Sequence, residues 1–132
     1  DIDIASLPDE HLNNASYYGR IFARSGGLAS AVEQALREQG LYDLGDFRYK
    51  PVSCDGIREC RTALLKASKG VLQENFIEGM ACVGGCVGGP SKHKAELEAK
   101  KSRDKLIAEA DAREVHENLK AYDMSSFSMH RH

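Results

Sequence analysis

Residues 76–90 read FIEGMACVGGCVGGP, a short apolar segment that leads into a glycine-rich loop with two cysteines. Residues 76–80 have the composition of a buried strand. In the loop, Cys82 and Cys86 lie four positions apart, and four of the seven residues from 83 to 89 are glycine. Glycine lets a backbone approach a bulky inorganic group and adopt positive φ. Thiolates at this spacing can bind an iron–sulfur cluster, zinc or copper, and a tight turn with two buried thiols is the structural alternative.

The preceding segment predicts the fold: residues 47–54 are typical of a strand with Pro51 at its edge or end, and Asp55 and Gly56 of a turn. A helix should follow and end at Gly70. Its expected core stripe consists of Ile57, Cys60, Ala63, Leu64 and Ala67. Strand, helix and strand in this length predict an α/β fold, a partial lobe whose βαβ unit forms a short parallel sheet flanked by helices. Cys82 would then follow the carboxyl end of a strand, where ligands bind in such sheets.

The remaining segments complete a single domain over residues 1–132. We expect an extended arm at 1–24, the α/β core with the cysteine loop at 25–90, a C-terminal helical extension at 91–122 and a tail at 123–132. The core should open with a helix at 28–37 that is capped by Gly40. The extension should form one long helix or two, starting near Pro90 and Ser91. Its narrow apolar stripe consists of Ala108, Ala112, Val115, Leu119 and Tyr122.

Composition argues against several classes of partner. The chain carries 18 Lys and Arg against 20 Asp and Glu, so it offers no electrostatic case for nucleic acid or for an anionic membrane. No apolar run has the length of a membrane span, and no signal peptide opens the chain. We therefore expect a cytoplasmic protein with reduced thiols, and the start at Asp1 is expected to lie in the middle of a longer sequence.

Outside the loop, few side chains suggest chemistry. Cys60 lies on the predicted helix stripe and is interpreted as a small core residue, whereas Cys54, at a strand end, keeps some prospect of a ligand role. Glu78 is interpreted as a strand-end residue bonded to nearby backbone or basic side chains, without a role in proton transfer. The histidines are scattered and form no ligand set: His11, His93, His116, His130 and His132.

Several segments of the chain resemble one family. Residues 76–90 resemble the third cysteine motif of the iron-only ([FeFe]) hydrogenase catalytic domain, E-x-M-x-C-x-x-G-C followed by further glycines. Residues 22–27 resemble that family's F-x-x-[ST]-G-G segment, and residues 54–60 resemble the strand, turn and helix before the motif. A stretch at 116–119 is similar to the S-H-E-N-type sequence near the family's C-terminus.

The resemblance implies a cofactor and a role for each residue of the motif. The family's H-cluster joins a [4Fe–4S] cubane, through one cysteine sulfur, to a two-iron subsite that carries CO, cyanide and a bridging dithiolate. By position, Cys82 would ligate the cubane, and Cys86 would supply the shared sulfur. Met80 would pack against the two-iron subsite, with a core strand residue as the alternative interpretation. The N–H groups of Gly84 and Gly85 could donate hydrogen bonds to cluster sulfurs.

The chain also departs from the family pattern. The motifs T-S-C-C-P and M-P-C-x-x-K are absent, and no cysteine precedes Cys54. The resemblance therefore implies a fragment or subunit that supplies two of the four cysteine ligands for reversible H₂ oxidation and is inactive alone. Its expected partners are the remainder of the hydrogenase and a redox protein such as ferredoxin. Gly79 and Val83 stand where the family more often has valine and proline, which suggests a divergent subgroup, with a sensory role as one prospect.

Two other interpretations of the motif stay open. The chain could be a non-catalytic iron–sulfur protein, similar to the narf-like assembly factors that share the cysteine motif but lack the two-iron subsite. It could also be an α/β module without metal that keeps the loop for structural reasons. CO and cyanide infrared bands distinguish the hydrogenase from both alternatives, because these ligands belong to the two-iron subsite.

Overall fold

Five helices and a two-stranded parallel sheet make up the part of the chain that a computed structural model describes, residues 2–8, 15–93 and 95–128. The strands are β1 (Pro51–Asp55) and β2 (Phe76–Met80). The helices are α1 (Tyr17–Arg20), α2 (Gly27–Glu38), α3 (Ile57–Ser68), α4 (Glu96–Ala108) and α5 (Val115–Leu119). None of these helices has both the length and the apolar character to cross a membrane.

The predicted βαβ unit is confirmed. β1 pairs with β2 in parallel, with Pro51 opposite Phe76 and Asp55 opposite Met80, and α3 connects the two strands. The first strand begins at Pro51 rather than at residue 47, because the chain before it folds back on itself. There, Arg48 forms an isolated antiparallel bridge with Asp43. The carboxyl ends of both strands therefore lie at the same edge of the sheet, and the cysteine loop leaves from that edge.

The N-terminal segment differs from the expected extended arm. Residues 9–14 lie outside the described part. Within the predicted arm, the described residues after them form α1 and a 3₁₀ turn at Ile21–Ala23. Ile21 is fully buried, and it shares a small core with Ala29, Ala31, Tyr49, Cys54, Ala63 and Ile107. Tyr49 donates a hydrogen bond to the carbonyl of Ala29 at 3.0 Å, which joins α2 to the segment before β1. The segment before α2 is thus part of the packed structure.

The predicted core stripe of α3 is only partly buried. Ala63 is buried and Cys60 is half-buried, but Ile57 and Leu64 are 70% and 60% exposed. A sheet of two strands is narrower than the apolar face of the helix, so it covers only the residues nearest its centre line. α3 ends as predicted, with Gly70 just beyond its last turn.

The C-terminal extension forms two helices, which was one of the two expected arrangements. α4 begins at Glu96 instead of near Pro90, since a turn closed by the Lys92 N–H to Gly89 O bond (3.3 Å) comes first. Ile107 is the buried residue of α4, and the predicted stripe member Ala108 is exposed. The remaining stripe positions, Ala112, Val115, Leu119 and Tyr122, are exposed or half-buried. Of the predicted tail, residues 129–132 lie outside the described part.

Candidate cluster-binding site

The cysteine loop consists of two consecutive turns. The N–H of Gly85 donates to the carbonyl of Cys82 at 3.0 Å, and a 3₁₀ turn at Cys86–Gly88 follows directly. The N–H of Gly89 then donates to the carbonyl of Cys86 at 3.1 Å. Both cysteines have free thiols, so the loop carries two sulfur donors on a short, hydrogen-bonded scaffold.

Gly85 is a position that only glycine can occupy. Its φ is 80° and its ψ is −157°, a backbone region that other residues almost never adopt. A Cβ at this position would lie 2.4 Å from the carbonyl oxygen of Ala23 and 2.8 Å from the Cα of Arg24. The loop therefore packs directly against the backbone of residues 23–24. At least one glycine of the motif, Gly85, is therefore required for the close approach of the loop to residues 23–24.

Asp55 anchors the loop from the end of β1. Its Oδ1 accepts a hydrogen bond from the N–H of Gly84 at 2.8 Å and another from the hydroxyl of Ser25 at 2.5 Å. The hydrogen bond from Ser25 has the larger effect on the pKa of Asp55, and the bond from Gly84 the next. Together they hold this pKa below its ordinary value, although burial acts in the opposite direction. The N–H groups of Gly84 and Gly85, which were expected to reach cluster sulfur, thus donate to protein oxygens in this structure.

Glu78 holds the N-terminus of α2 against β2. Its side chain is only 2% exposed, and its carboxylate accepts hydrogen bonds from the N–H groups of Gly26 (3.1 Å), Leu28 (3.4 Å) and Ala29 (3.0 Å). The hydroxyl of Ser53 donates a fourth, at 3.3 Å. A carboxylate at this place satisfies free N–H groups of the helix and interacts favourably with its dipole. The expected bonding of Glu78 to nearby backbone agrees with this geometry, but its expected place at a strand end is wrong, because Glu78 is the central residue of β2.

Close packing also explains the second glycine of the Ser25-Gly26-Gly27 sequence. A Cβ on Gly27 would lie 1.8 Å from the carbonyl oxygen of Ile21, so the first turn of α2 could not pack there with a larger residue. Ser25 contacts Asp55, and Gly26 contacts Glu78. The segments at 22–27, 54–60 and 76–90, which carry most of the family resemblance, therefore meet in one network.

Cys86 is exposed beside a cavity of about 670 Å³ that lies between the loop, α1 and α4. Arg20, Lys92 and Arg103 are among the residues that line this cavity. Arg103 is already paired with Asp104 at 2.8 Å, and Arg20 donates to the carbonyl of Leu106 at 2.6 Å, while much of the remaining lining is apolar. The volume lies within the range of ordinary ligand pockets.

The other predicted site residues are not among those that line this cavity. Cys82 is half-buried, and its Sγ lies 3.5 Å from the place that a Cβ on Gly89 would take, so the absence of a side chain there keeps space beside the sulfur. Met80 is half-buried at the end of β2, where its carbonyl accepts bonds from the N–H of Gly56 (2.7 Å) and the thiol of Cys60 (3.6 Å). The two predicted ligands and Met80 thus occupy one edge of the sheet.

The remaining cysteines do not extend the donor set. Cys54 is 3% exposed, and burial, together with the proximity of Cys60, raises the pKa of its thiol. The Sγ of Cys60 lies 3.2 Å from the place that a Cβ on Gly79 would take, so a larger residue there would require Cys60 to shift by a few tenths of an ångström. Within residues 2–8, 15–93 and 95–128, no group of three or more His, Cys, Asp or Glu side chains is placed to hold a metal ion.

Of the five histidines of the sequence, His116 contacts the carboxylate of Glu38. Its Nδ1 lies 2.5 Å from a carboxylate oxygen of Glu38, whose oxygens also accept the N–H groups of Val115 (2.9 Å) and His116 (2.8 Å). Glu38 therefore caps α5 from the last turn of α2. His93 lines the cavity beside Cys86, whereas His11, His130 and His132 lie outside the described residues.

Sequence reasoning missed the roles of Asp55 and Ser25. The sequence predicts a turn at Asp55, and it places Ser25 only in the F-x-x-[ST]-G-G segment before the helix. The available signal was their chemistry: a carboxylate at the carboxyl end of a strand and a hydroxyl before two glycines are both suited to bind a neighbouring loop. Only the packing of α2 on the sheet brings them together.

The comparison with protein families is consistent with this arrangement. A family model described as "Iron only hydrogenase large subunit, C-terminal domain" matches residues 1–90 of the chain. The matched region contains the Ser25-Gly26-Gly27 sequence, Asp55 and the whole cysteine loop, whereas α4 and α5 lie beyond it. No curated protein matches the chain.

Proposed function

Because this chain belongs to the C-terminal domain family of the iron-only hydrogenase large subunit, we propose that it contributes Cys82 and Cys86 to an H-cluster that catalyses reversible H₂ oxidation. The observation that carries the proposal is the place of the two thiols. Both are free, they lie on one loop at the carboxyl edge of a parallel sheet, and Cys86 lines a mainly apolar cavity that also contains Lys92. Ligands of open α/β sheets bind at this edge.

The donor set fits half of such a cluster. Thiolate sulfur is the ligand that iron–sulfur clusters prefer, and this loop supplies two. Cys82 would bind the cubane, and Cys86 would provide the sulfur shared with the two-iron subsite. When bound, the cluster supplies the iron at which H₂ reacts and the capacity to store electrons. The positive charge of Lys92, which lines the same cavity as Cys86, would partly offset the negative charge of the thiolate-bound group.

The other residues of the loop have positioning roles in this proposal. Met80 ends the strand that leads into the loop, and in this proposal its thioether would pack against the two-iron subsite. Gly84 and Gly85 allow the backbone to reach Asp55 and residues 23–24, which fixes the spacing of the two sulfurs. Glu78 is fully engaged in holding α2, and this supports the view that it transfers no proton.

The two remaining cysteine ligands would come from the rest of the hydrogenase, in the same longer polypeptide or in a separate partner protein. The sequence of this chain lacks both of the motifs that carry them. The chain is then inactive alone, and electrons reach or leave the complete protein through a redox partner such as ferredoxin. A [4Fe–4S] cluster with a two-iron subsite is sensitive to air, so we expect the complete protein to work under anaerobic conditions.

The test is anaerobic purification of the complete protein that contains these residues, from cells that assemble the H-cluster. Iron content, the infrared bands of CO and cyanide, and H₂ evolution from reduced viologen are measured. Cys82→Ser should lower the iron content, and Cys86→Ser should abolish the infrared bands. Cys60→Ser removes a half-buried thiol outside the loop and serves as the matched control, with both signals retained.

Two results would overturn the proposal in different ways. Iron content and infrared bands that survive both loop substitutions would show that this loop is not a ligand. Iron without CO and cyanide bands in the unaltered protein would replace the hydrogenase with a non-catalytic iron–sulfur protein. In that case the ligand assignment of Cys82 would stand and the reaction would not.

A further inference from the structure

We propose that Asp55 is a positioning residue that holds the cysteine loop in its ligand-binding form and places a fixed negative charge beside the bound cluster. The inference rests on the proposed function of Cys82 and Cys86. It goes beyond that function because it assigns the control of the cluster's reduction potential to a carboxylate outside the cysteine motif.

The geometry places Asp55 between three segments. It is the last residue of β1, directly opposite Met80 in the register of the sheet. Its Oδ1 accepts the N–H of Gly84, which lies between the two cysteines, at 2.8 Å. The same oxygen accepts the hydroxyl of Ser25, before α2, at 2.5 Å. One oxygen thus connects the strand, the helix start and the loop.

The backbone of Asp55 is also fixed. Its N–H donates to a carboxylate oxygen of Glu59, one turn along α3, at 2.8 Å. The next N–H, that of Gly56, donates to the carbonyl of Met80 at 2.7 Å. The side chain therefore starts from a backbone that is held on both sides, which limits the positions that its carboxylate can take.

This carboxylate would lower the reduction potential of the cluster in two ways. A negative charge near an iron–sulfur cluster disfavours the added electron and lowers its reduction potential. Hydrogen bonds from backbone N–H groups to cluster sulfurs raise that potential, and Asp55 takes one such donor, that of Gly84. Lys100, whose charge also acts on Asp55, moderates the first effect without removing the second.

Substitutions at Asp55 separate its charge from its hydrogen bond. Asp55→Asn keeps an oxygen that can accept from Gly84 and Ser25, so the loop should keep its shape while the charge is lost. Asp55→Ala loses both, and the loop should lose its anchor. Asp46→Asn removes one negative charge from an exposed residue before the amino end of β1, at the far end of the strand from the loop, and is the matched control.

The first measurement is the reduction potential of the cluster in the complete protein, from a titration followed by electron paramagnetic resonance. We expect Asp55→Asn to retain iron and to shift the potential to a more positive value, with Asp46→Asn unchanged. A potential for Asp55→Asn equal to that of the unaltered protein would overturn the charge assignment, while the bound iron would leave the proposed function intact.

The second measurement needs no cluster and tests the anchor alone. Hydrogen exchange at the amide of Gly84 is followed in the iron-free protein. Loss of the hydrogen bond should make this exchange faster by on the order of tenfold or more in Asp55→Ala, and by clearly less in Asp55→Asn, whose neutral oxygen still accepts a weaker bond. Unchanged exchange in Asp55→Ala would overturn the anchor. If the unaltered protein binds no iron, the proposed function fails and the exchange result still decides the anchor.

Discussion

Gly85→Ala tests whether the loop is built on close approach to residues 23–24. The added Cβ would lie 2.4 Å from the carbonyl oxygen of Ala23, whereas real Cβ contacts essentially never fall under 3.0 Å. The two backbones would have to separate by about 0.6 Å, the difference between these distances. The required φ of 80° with ψ of −157° adds strain for any residue with a Cβ.

The size of the effect follows from two contributions. The backbone conformation costs about 1–3 kcal/mol for a non-glycine residue. The separation stretches the Gly84 N–H bond to Asp55 and the Gly85 N–H bond to Cys82, and weakening them costs about 1–2 kcal/mol in total. We therefore expect the free energy of unfolding to fall by about 2–5 kcal/mol, with loss of iron from the complete protein.

Gly70→Ala is the matched control. Gly70 also has a positive φ, 67°, but a Cβ there would have no neighbour within 4 Å. Only the left-handed conformation then matters, at about 1–2 kcal/mol. The assay is urea denaturation of the iron-free protein, followed by circular dichroism, together with iron analysis of the loaded protein. A loss of stability at Gly85 no greater than that at Gly70 would refute the packing argument.

Three further predictions concern other carboxylates and the thiols. Glu78→Gln should lower the free energy of unfolding in urea by about 2–4 kcal/mol, because it removes a buried charge that accepts several N–H groups of α2, whereas Glu98→Gln on the exposed side of α4 should change it little. Burial raises the pKa of Glu38, but hydrogen bonds from residues 115–116 outweigh it and lower that pKa to about 2. The stability contributed by Glu38 is therefore fully present above the ordinary pKa of about 4.5 and is lost as the pH falls through about 2. The test compares the melting temperatures of Glu38→Gln and of the unaltered protein between pH 7 and 2. The two melting temperatures should converge as the pH falls. Iodoacetamide should label exposed Cys86 first and buried Cys54 last, as mass spectrometry of the digested protein can show, and bound iron should protect Cys86; early labelling of Cys54 would contradict its burial.

Local patterns in the sequence were sufficient for several elements. β2 lies at the predicted residues 76–80, since its apolar run is bounded on one side by polar residues and on the other by the loop. Gly40 and Gly70 marked the ends of α2 and α3, because a helix commonly ends where a glycine can take a left-handed conformation. The family motif located the candidate ligands in the same way, from residue types within one short stretch.

Contacts between distant residues were beyond sequence reasoning. Nothing in the neighbourhood of Asp55 indicates that Gly84, 29 positions later, will supply its hydrogen-bond donor. The exposure of Ile57 and Leu64 was equally hidden, because helical periodicity identifies an apolar face but not the width of the sheet that covers it. The start of β1 was misplaced because the Asp43–Arg48 bridge turns the chain before Pro51.

α2 carries an acidic contact at each end. At its first turn, backbone N–H groups donate hydrogen bonds to Glu78 of β2. At its last turn, Glu38 accepts hydrogen bonds from the first N–H groups of α5. Twelve helical residues span about 18 Å, and a helix of this length behaves as a stiff rod. Because α2 is held at both ends, α5 cannot move relative to the strand before the cysteine loop unless α2 bends or one of these contacts breaks.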